Sequence, residues 1–450
     1  MKQTTIILLL LSSLLTNVQA NLPSAEELLK EYIRIDTTNP PGNEMKAARF
    51  LEKIFKQQGI DYQIFDLGNG RANIMASLPG DGALRPIILM HHMDVVPAEK
   101  EFWKHDPFAA VVDQGEIYGR GALDIKGKGI TDLMVMLRLK EEKVKLHREV
   151  IFLGLADEEE GSTGARWLIK NQKSKLEKAQ YLIDEGSGVR ADDQGKTTQF
   201  YVSLGEKSPL WLTFIFKGKP GHGSIPHDDN AVTKAVNAAK VLIKLAKTEP
   251  LQVVPGTQKY LELNVKGDYR NFVGFKQDFK TSLKQRTFLQ QLALQPELNA
   301  LLRSTITVTG LQGSDKINTI PNQASIKVDC RLLPGVDKEK FIAKLKAAVG
   351  EAEVRVDEYY PARFTSPDSP FLKALAKVAG KVPVVPTLLT SSTDSSLFRE
   401  LGIDVFGFEA YPLTSSLIEG AHGNNERMPI SALNQGIETL YQLMMKLNQP

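Results

Sequence analysis

The sequence predicts an α/β protein with a mostly parallel central sheet into which a second, α+β unit is inserted. Short apolar runs, typical of buried strands, alternate with helix-period segments in the first and last parts of the chain. The middle of the chain instead follows the order β-α-β-β-α-β, which packs as an antiparallel sheet with helices on one face. A composition of 42% hydrophobic and 24% charged residues fits a globular chain and argues against a disordered or multi-span membrane protein.

The first unit begins with two predicted helices. Apolar residues recur at helical spacing over residues 25–35 and 44–58, and the Asn-Pro-Pro-Gly segment between them interrupts the helical pattern. Alternating strands and helices then predict a sheet covered on both faces. The strands are predicted at 86–90, 150–155, 181–183 and 405–408, and the helices between them at 129–139 and 164–170.

The inserted unit accounts for the change of pattern in the middle of the chain. Its elements in order are a strand at 210–216, a helix at 231–246, strands at 305–311 and 324–332, a helix at 338–349 and a strand at 354–359. The stretch 252–302 does not belong to this pattern, and we interpret it as a mainly helical insertion. We therefore predict a first unit formed by residues 21–206 and 365–450, with the second unit at 207–364.

The N-terminus predicts export. Lys2 precedes a largely aliphatic run at 6–15, and Val18-Gln19-Ala20 offers small residues for cleavage, so residues 1–20 are predicted to be a signal peptide cleaved near Ala20. The protein is then expected to be secreted or periplasmic, the alternative being an uncleaved N-terminal anchor. The run is shorter than the roughly 20 residues that span a bilayer, and no later segment has the pattern of a membrane span.

Charge and cysteine content narrow the possible functions. Lys and Arg number 56 against 53 Asp and Glu, a net charge of +3 without a long basic block, so nucleic-acid binding is not predicted. The single cysteine, Cys330, can form neither an internal disulfide nor a multi-thiolate metal site. Any metal site must therefore use histidine, aspartate and glutamate.

Polar side chains follow three of the predicted strands at the point where each strand ends. His92 follows the first, Glu158 and Glu159 the second and Glu185 the third. Because sites in open α/β sheets form at the carboxyl ends of strands, these side chains are expected to converge on one crevice. Two further segments can join them: a glycine-punctuated loop that ends at Asp124, and the 421–426 segment, which carries His422.

Two imidazoles and three carboxylates form a ligand set suited to zinc. They exceed what one catalytic zinc needs, which favours two metal ions bridged by a carboxylate. Asp94, two residues beyond His92, is placed to accept the other ring N–H of that histidine. Consecutive Glu158 and Glu159 point differently, so one can bind metal while the other takes a proton from water.

These segments resemble the motifs of a known enzyme family. The residues at 92–97, 119–124, 157–161 and 422–426 are similar to those of the di-zinc exopeptidase family that contains aminoacylase, glutamate carboxypeptidase, succinyl-diaminopimelate desuccinylase and carboxypeptidase S. The match covers nearly the whole mature chain in the same order. It implies a zinc-exopeptidase-like catalytic domain at 21–206 and 365–450 with a ferredoxin-like lid and dimerisation domain at 207–364.

The resemblance also implies roles for individual residues. One zinc would be bound by His92 and Glu185 and the other by Glu159 and His422, with Asp124 bridging and Glu158 as general base; cobalt or manganese are possible substitutes. The lid would pair with its copy in a homodimer, so that His222 reaches the partner's active site and stabilises the oxyanion. Asn318 and Arg331 would grip the substrate carboxylate, a task suited to a planar guanidinium.

Three choices stay open within the motifs. His91 precedes His92, which allows a frame slip between the two. The run of three glutamates at 158–160 has a similar ambiguity, although the Asp-Glu-Glu-x-Gly frame favours Glu158 and Glu159. At the third strand end, Asp184 and Glu185 are both possible ligands.

The predicted function is a metallopeptidase or amidohydrolase that cleaves an amide bond next to a free carboxylate, in a small peptide or an N-acyl amino acid. One alternative is a hydrolase or synthase of N-fatty-acyl amino acids. An alternative of another class is a non-catalytic amino-acid or peptide binding protein, against which Glu158 and the complete ligand set argue.

Other notable residues have plainer interpretations. His105, His147 and His227 are predicted to lie outside the site, and the tryptophans at 103, 167 and 211 to be packing residues. The polar loop at 390–396 is predicted either to line the pocket or to cap the helix that follows.

Overall fold

The computed structural model describes residues 22–361 and 363–450, so the predicted signal peptide at 1–20 lies outside the described residues. The strands are β1 Asp61–Gly68, β2 Arg71–Leu78, β3 Ile87–His92, β4 Val111–Asp113, β5 Glu116–Tyr118, β6 Val150–Leu155, β7 Tyr181–Ala191, β8 Thr197–Glu206, β9 Ser208–Lys217, β10 Gly221–His222, β11 Thr305–Gln312, β12 Thr319–Ile320, β13 Gln323–Leu332, β14 Glu353–Tyr359, β15 Val384–Leu389, β16 Asp404–Leu413 and β17 Arg427–Pro429.

The helices complete the chain between these strands. They are α1 Ala25–Ile33, α2 Glu44–Gln57, α3 Lys126–Glu141, α4 Thr163–Leu176, α5 Ala231–Thr248, α6 Gln258–Asn264, α7 Phe279–Ser282, α8 Arg286–Leu292, α9 Pro296–Leu302, α10 Lys338–Val349, α11 Pro370–Ala379, α12 Ser395–Arg399, α13 Ser415–Ile418 and α14 Ile430–Leu447.

The central sheet has eight strands in the order β1-β2-β6-β3-β7-β16-β8-β15. Its middle strands β6, β3, β7 and β16 are parallel to one another, which confirms the predicted mostly parallel sheet. Ile87 of β3 lies opposite both Val150 of β6 and Tyr181 of β7. These three strands therefore start level, and the residues that follow their apolar runs meet at one edge of the sheet.

Alternate residues of the middle strands point to opposite faces of the sheet, and because both sets are apolar, helices cover both faces. In β3, Ile87 and Leu89 belong to the core under α1, α3 and α14, whereas Ile88 and Met90 belong to the opposite core under α4 and α12. Every residue of β3 and β6 is buried. A strand buried on both faces must be largely apolar, which is why the runs at 87–90 and 150–155 could be recognised from the sequence.

The second sheet is antiparallel, has the order β11-β13-β9-β14 and carries α5 and α10 on one face. This confirms the predicted β-α-β-β-α-β order. The even positions of β9, from Leu210 to Phe216, pack with helix residues such as Leu242 and Leu345. The odd positions, Trp211 among them, face the other side of the sheet.

The stretch predicted as a helical insertion contains the four short helices α6 to α9. Phe279, Phe288 and Leu292 form its core together with Leu333, which follows β13, and Leu388 of β15. The insertion is thus packed against both sheets.

Several strands at the margins of the central sheet were not predicted. β1 and β2 form a hairpin whose turn, Asn69-Gly70, has positive φ at both residues, a standard hairpin signal. β1 is an edge strand in which Phe65 alone is buried and the other positions are exposed or partly buried, so its polar residues obscure the apolar pattern. Within the part of the chain that the structure describes, no helix is long and apolar enough to cross a membrane.

Candidate metal centre

The carboxyl edge of the central sheet brings together histidines and carboxylates from five segments. His92 is the last residue of β3, Glu159 follows β6, and Glu185 lies in β7. Asp124 lies in the loop before α3, and His422 lies in the loop between α13 and β17. All five were proposed as metal ligands from the sequence, and they form two adjoining groups.

The first group consists of His92, Asp124 and Glu185. His92 Nε2 lies 3.1 Å from Asp124 Oδ1 and 3.8 Å from Glu185 Oε1. The same ring nitrogen faces both carboxylates, so the three side chains point into a common space.

The second group consists of Asp124, Glu159 and His422. His422 Nε2 lies 2.9 Å from Asp124 Oδ2 and 3.3 Å from Glu159 Oε1. Asp124 therefore directs one carboxylate oxygen to each group. A carboxylate in this position can bridge two cations.

The electrostatics of the cluster fit bound cations. Burial raises the pKa of Glu185, and the nearby Glu158 raises it further. Hydrogen bonds to Asp124 and Glu159 raise the pKa of His422 to about 10. Glu159 Oε1 is buried and faces His422 Nε2 at 3.3 Å. Carboxylates crowded away from water need positive charge, and a set of imidazole nitrogens and carboxylate oxygens suits two divalent transition-metal ions.

Asp94 supports the site through both its backbone and its side chain. His92 Nδ1 lies 2.9 Å from the Asp94 carbonyl oxygen but 3.6 Å from its carboxylate. The carbonyl therefore accepts the ring N–H that the sequence led us to pair with Asp94. The carboxylate instead accepts the backbone N–H groups of Glu158 and Glu159 at 3.1 and 3.2 Å, so it orients the segment that carries both glutamates.

Glu426 holds the loop that carries Asp124. Its carboxylate is buried and accepts the backbone N–H groups of Gly121, Leu123 and Asp124 at 3.1, 2.7 and 3.0 Å. Arg120 Nη1 donates to the same carboxylate at 2.7 Å. Sequence reasoning noted the 422–426 segment but gave Glu426 no role, because loop-to-loop support leaves no periodic signal.

The positions of the side chains decide which of the alternative residues at the strand ends belong to the cluster. His91 is buried below the cluster, where its Nε2 lies 3.0 Å from the Tyr32 hydroxyl. Asp184 accepts a hydrogen bond from Ser395 Oγ at 2.7 Å and belongs to neither group. Glu160 is exposed, whereas Glu158 is half-buried and its pKa is raised well above the usual range, chiefly by burial.

A cavity of about 300 Å³ lies over the cluster. One side is formed by the ligands and Glu158, and the loop residues Ser391, Ser392 and Thr393 also line it, so the polar loop does reach the pocket. The opposite wall comes from the second sheet and its flank, where it consists of Pro209, Trp211, Arg331, Glu358 and Tyr360.

Two of these wall residues bear on the predictions. Arg331 lines the cavity, with its guanidinium held by the Asp329 carboxylate at 2.9 and 3.2 Å. Trp211 is 44% exposed and also lines the cavity, so the packing interpretation is wrong for this tryptophan. Trp103 is buried and Trp167 packs against Phe65, as predicted.

His222 and Asn318 do not reach this cavity within one chain. His222 is exposed in β10, with Nδ1 2.7 Å from Ser224 Oγ. β10 pairs with β12, and Gly223 N donates to Asn318 O at 2.7 Å, so the two predicted residues are neighbours of each other. The predicted roles of His222 and Asn318 therefore require contact with a site other than the cavity of their own chain.

Asp394, in the polar loop at 390–396, is not among the residues that line the cavity, but its charge lies close enough to Glu158 to raise the pKa of that glutamate. Both of its carboxylate oxygens are buried without a hydrogen-bond partner. Burial raises the pKa of Asp394 to about 7. Outside the site, His105 and His147 bind Asp113 and Asp81 at 3.2 and 2.8 Å, and neither belongs to the two metal groups.

Comparisons with known sequences and solved structures agree on one protein family. Residues 88–446 match the sequence profile of peptidase family M20/M25/M40. Aminoacylase-1A of Rattus norvegicus is 27% identical over 432 residues, which cover 93% of this chain and 94% of the relative. The N-fatty-acyl-amino acid synthase/hydrolase of Xenopus tropicalis is 26% identical over 443 residues, covering 94% of this chain and 85% of the relative.

Solved structures share the fold. An M20 family metallo-carboxypeptidase from Sulfolobus solfataricus has a TM-score of 0.72 at 22% identity, with 95% of this chain and 99% of that chain covered. The Bacillus subtilis protein YXEP, described as a dinuclear metal binding peptidase, has a TM-score of 0.56 at 14% identity, with 94% of this chain and 98% of that chain covered.

We predict that Glu426→Gln weakens ion binding about 10- to 100-fold, because loss of the carboxylate releases the backbone that positions Asp124. Titration of the metal-free protein with zinc, followed by calorimetry, measures the change. Glu419→Gln, an exposed change of the same charge in the neighbouring segment, is the matched control and should bind as the parent does. Equal zinc affinity in Glu426→Gln and the parent would contradict the support role.

Proposed function

The chain belongs to peptidase family M20/M25/M40 and is an enzyme of the metallopeptidase and amidohydrolase type, and we propose that it is a di-zinc hydrolase of amide bonds next to a free carboxylate. Its substrates would be N-acyl amino acids or small peptides cleaved at their C-terminal bond. The observation that carries this proposal is the shared cavity: Asp124 joins two ligand groups, Glu158 stands beside them, and Arg331 faces them from the opposite wall.

His92 and Glu185 would hold one ion and Glu159 and His422 the other, with Asp124 between them. When bound, such ions supply Lewis-acid polarisation of a carbonyl oxygen and lower the pKa of water. Zinc is favoured by the mixture of imidazole and carboxylate ligands, although cobalt or manganese suit the same atoms. Removing the ions with a chelator and restoring each metal separately identifies the one that supports full turnover.

The chain's own residues account for proton transfer and substrate orientation. Glu158 would take a proton from the attacking water and deliver it to the nitrogen of the leaving amine, as the amide C–N bond breaks. Its raised pKa, caused by burial, keeps it basic enough to accept that proton. Arg331, already oriented by Asp329, would pair with the substrate carboxylate and align the scissile bond.

We expect Glu158→Gln to lower kcat about 10²- to 10⁴-fold, the usual contribution of a general base. Zinc content should remain that of the parent, because Glu158 belongs to neither ligand group. Hydrolysis of N-acetyl amino acids and metal analysis of the same preparation measure both quantities. Glu177→Gln, an exposed glutamate at the end of α4 that does not line the cavity, is the control; near-parental kcat in Glu158→Gln with metal bound would refute the mechanism.

The positions of His222 and Asn318 support a proposal about assembly. Both residues are neighbours on the second sheet's side of the molecule, and neither lines the cavity of its own chain. We propose that two chains pair through their inserted units, so that His222 of each stabilises the oxyanion formed in the partner's site. A homodimer of this kind would make each active site a product of two chains.

Mixing two inactive variants tests this assembly. His222→Ala and Glu158→Gln should each be nearly inactive alone, yet a mixed dimer contains one site with both Glu158 and His222. After random re-association we expect about one quarter of the parental activity, since half of the dimers are mixed and each has one intact site. If the mixture stays as inactive as its components while mass measurements show mixed dimers, His222 does not act across an interface.

The alternatives are less well supported. The cavity of about 300 Å³ lies at the lower end of the range for ligand sites, which favours small substrates over N-fatty-acyl amino acids. A non-catalytic binding protein does not account for Glu158 beside two complete ligand groups.

We further propose that the protein is exported after removal of residues 1–20, on the strength of Lys2, the aliphatic run and the small residues before Asn21. Cell fractionation, with the intact mass of the protein, checks both points. Recovery of the full-length chain inside the cell would reject export.

A further inference from the structure

The cavity wall formed by the second sheet consists of side chains at paired positions on neighbouring strands. Across β13, β9 and the end of β14, Arg331 lies opposite Pro209 and Asp329 opposite Trp211. On the other side of β9, Glu358 lies opposite Trp211, and Tyr360 N donates to Pro209 O at 3.3 Å. All but Asp329 line the cavity over the cluster.

Among these wall residues, Trp211 offers the largest apolar side chain. Its neighbours along β9, Leu210 and Leu212, are 0% and 1% exposed and pack under the helices, whereas Trp211 is 44% exposed. It projects from the face of the sheet opposite α5 and α10. An indole left half-exposed in a ligand cavity offers a large rigid surface for an apolar group.

Arg331 fixes where a substrate would place that apolar group. The Arg331 guanidinium carbon lies 5.9 Å from the centre of the Trp211 ring. A carboxylate bound at Arg331 therefore has the indole within reach of the side chain on the same amino acid. Two-point recognition of this kind selects both the free carboxylate and the side chain beside it.

The charges around Trp211 disfavour an acidic side chain at this position. Glu358 is its cross-strand neighbour, and Glu160 also lines the cavity. Arg166 partly balances Glu358, with which it pairs at 3.3 Å, and its guanidinium lies 4.7 Å above the ring of Tyr360. The side of the wall away from Arg331 is thus aromatic and carries no unpaired lysine or arginine among its lining residues.

We propose that Trp211 is a specificity-determining residue, and that the preferred substrates carry an aromatic or large apolar side chain on the amino acid that bears the free carboxylate. The proposal rests on the proposed function, since it assumes that Arg331 pairs with that carboxylate. N-acetylphenylalanine and N-acetylleucine would then be better substrates than N-acetylglycine, and N-acetylaspartate would be a poor one.

The test compares kcat/KM for these four N-acetyl amino acids with the zinc-loaded full-length enzyme. We expect the parent to prefer N-acetylphenylalanine over N-acetylglycine by about 10-fold or more, the usual value of burying a large apolar side chain. Trp211→Ala should lose about 10-fold for the phenylalanine substrate, mainly through KM, because a binding contact is removed. Hydrolysis of N-acetylglycine should be unchanged.

Two further variants separate this role from general damage. Trp211→Phe should retain most of the preference, since an aromatic ring is kept. Val112→Ala removes a 39% exposed side chain from β4, away from both the cavity and the inserted unit, and should match the parent on every substrate.

Different experimental results would show that this inference is wrong and that the proposed function is wrong. If the parent hydrolyses N-acetylglycine as well as N-acetylphenylalanine, or if Trp211→Ala affects both equally, the specificity role is wrong while amide hydrolysis stands. If the zinc-loaded parent hydrolyses no N-acetyl amino acid and no dipeptide, the proposed function fails, and the specificity role fails with it.

Discussion

The crowding of carboxylates around Asp124 is the constraint on which the rest of the site depends. Asp124 lies between two histidines that approach its two oxygens from different segments, and Glu159 and Glu185 complete the cluster. Buried carboxylates at this density repel one another unless cations balance them. The surrounding polar contacts follow from this need, since they hold the ligands in place against repulsion.

Two carboxylates outside the cluster supply that support. The Asp94 side chain accepts the backbone N–H groups of Glu158 and Glu159, and Glu426 accepts three N–H groups of the loop that ends at Asp124. A carboxylate that accepts several backbone N–H groups fixes a loop more firmly than a single side-chain contact does. The site is therefore built on loops whose backbone N–H groups are hydrogen-bonded to buried carboxylates.

The second sheet has a separate function in this arrangement. One face packs on helices and stabilises the inserted unit, and the other turns Arg331 and Trp211 toward the metal centre. The alternation of a β-strand lets one segment, β9, serve both purposes. That alternation also explains the wrong interpretation of Trp211, because a tryptophan in an apolar strand has the same sequence context whether it faces a core or a cavity.

The sequence by itself determined the parallel core, the β-α-β-β-α-β order and the five candidate ligands, because buried strands must be apolar and chemically active residues follow them at the same sheet edge. Only the tertiary structure distinguished His92 from His91 and Glu185 from Asp184 as cluster members. It also showed that Glu426 holds the loop of Asp124 and that Trp211 lines the cavity. Those choices depend on side-chain direction and on contacts between segments distant in the chain, which local periodicity does not encode.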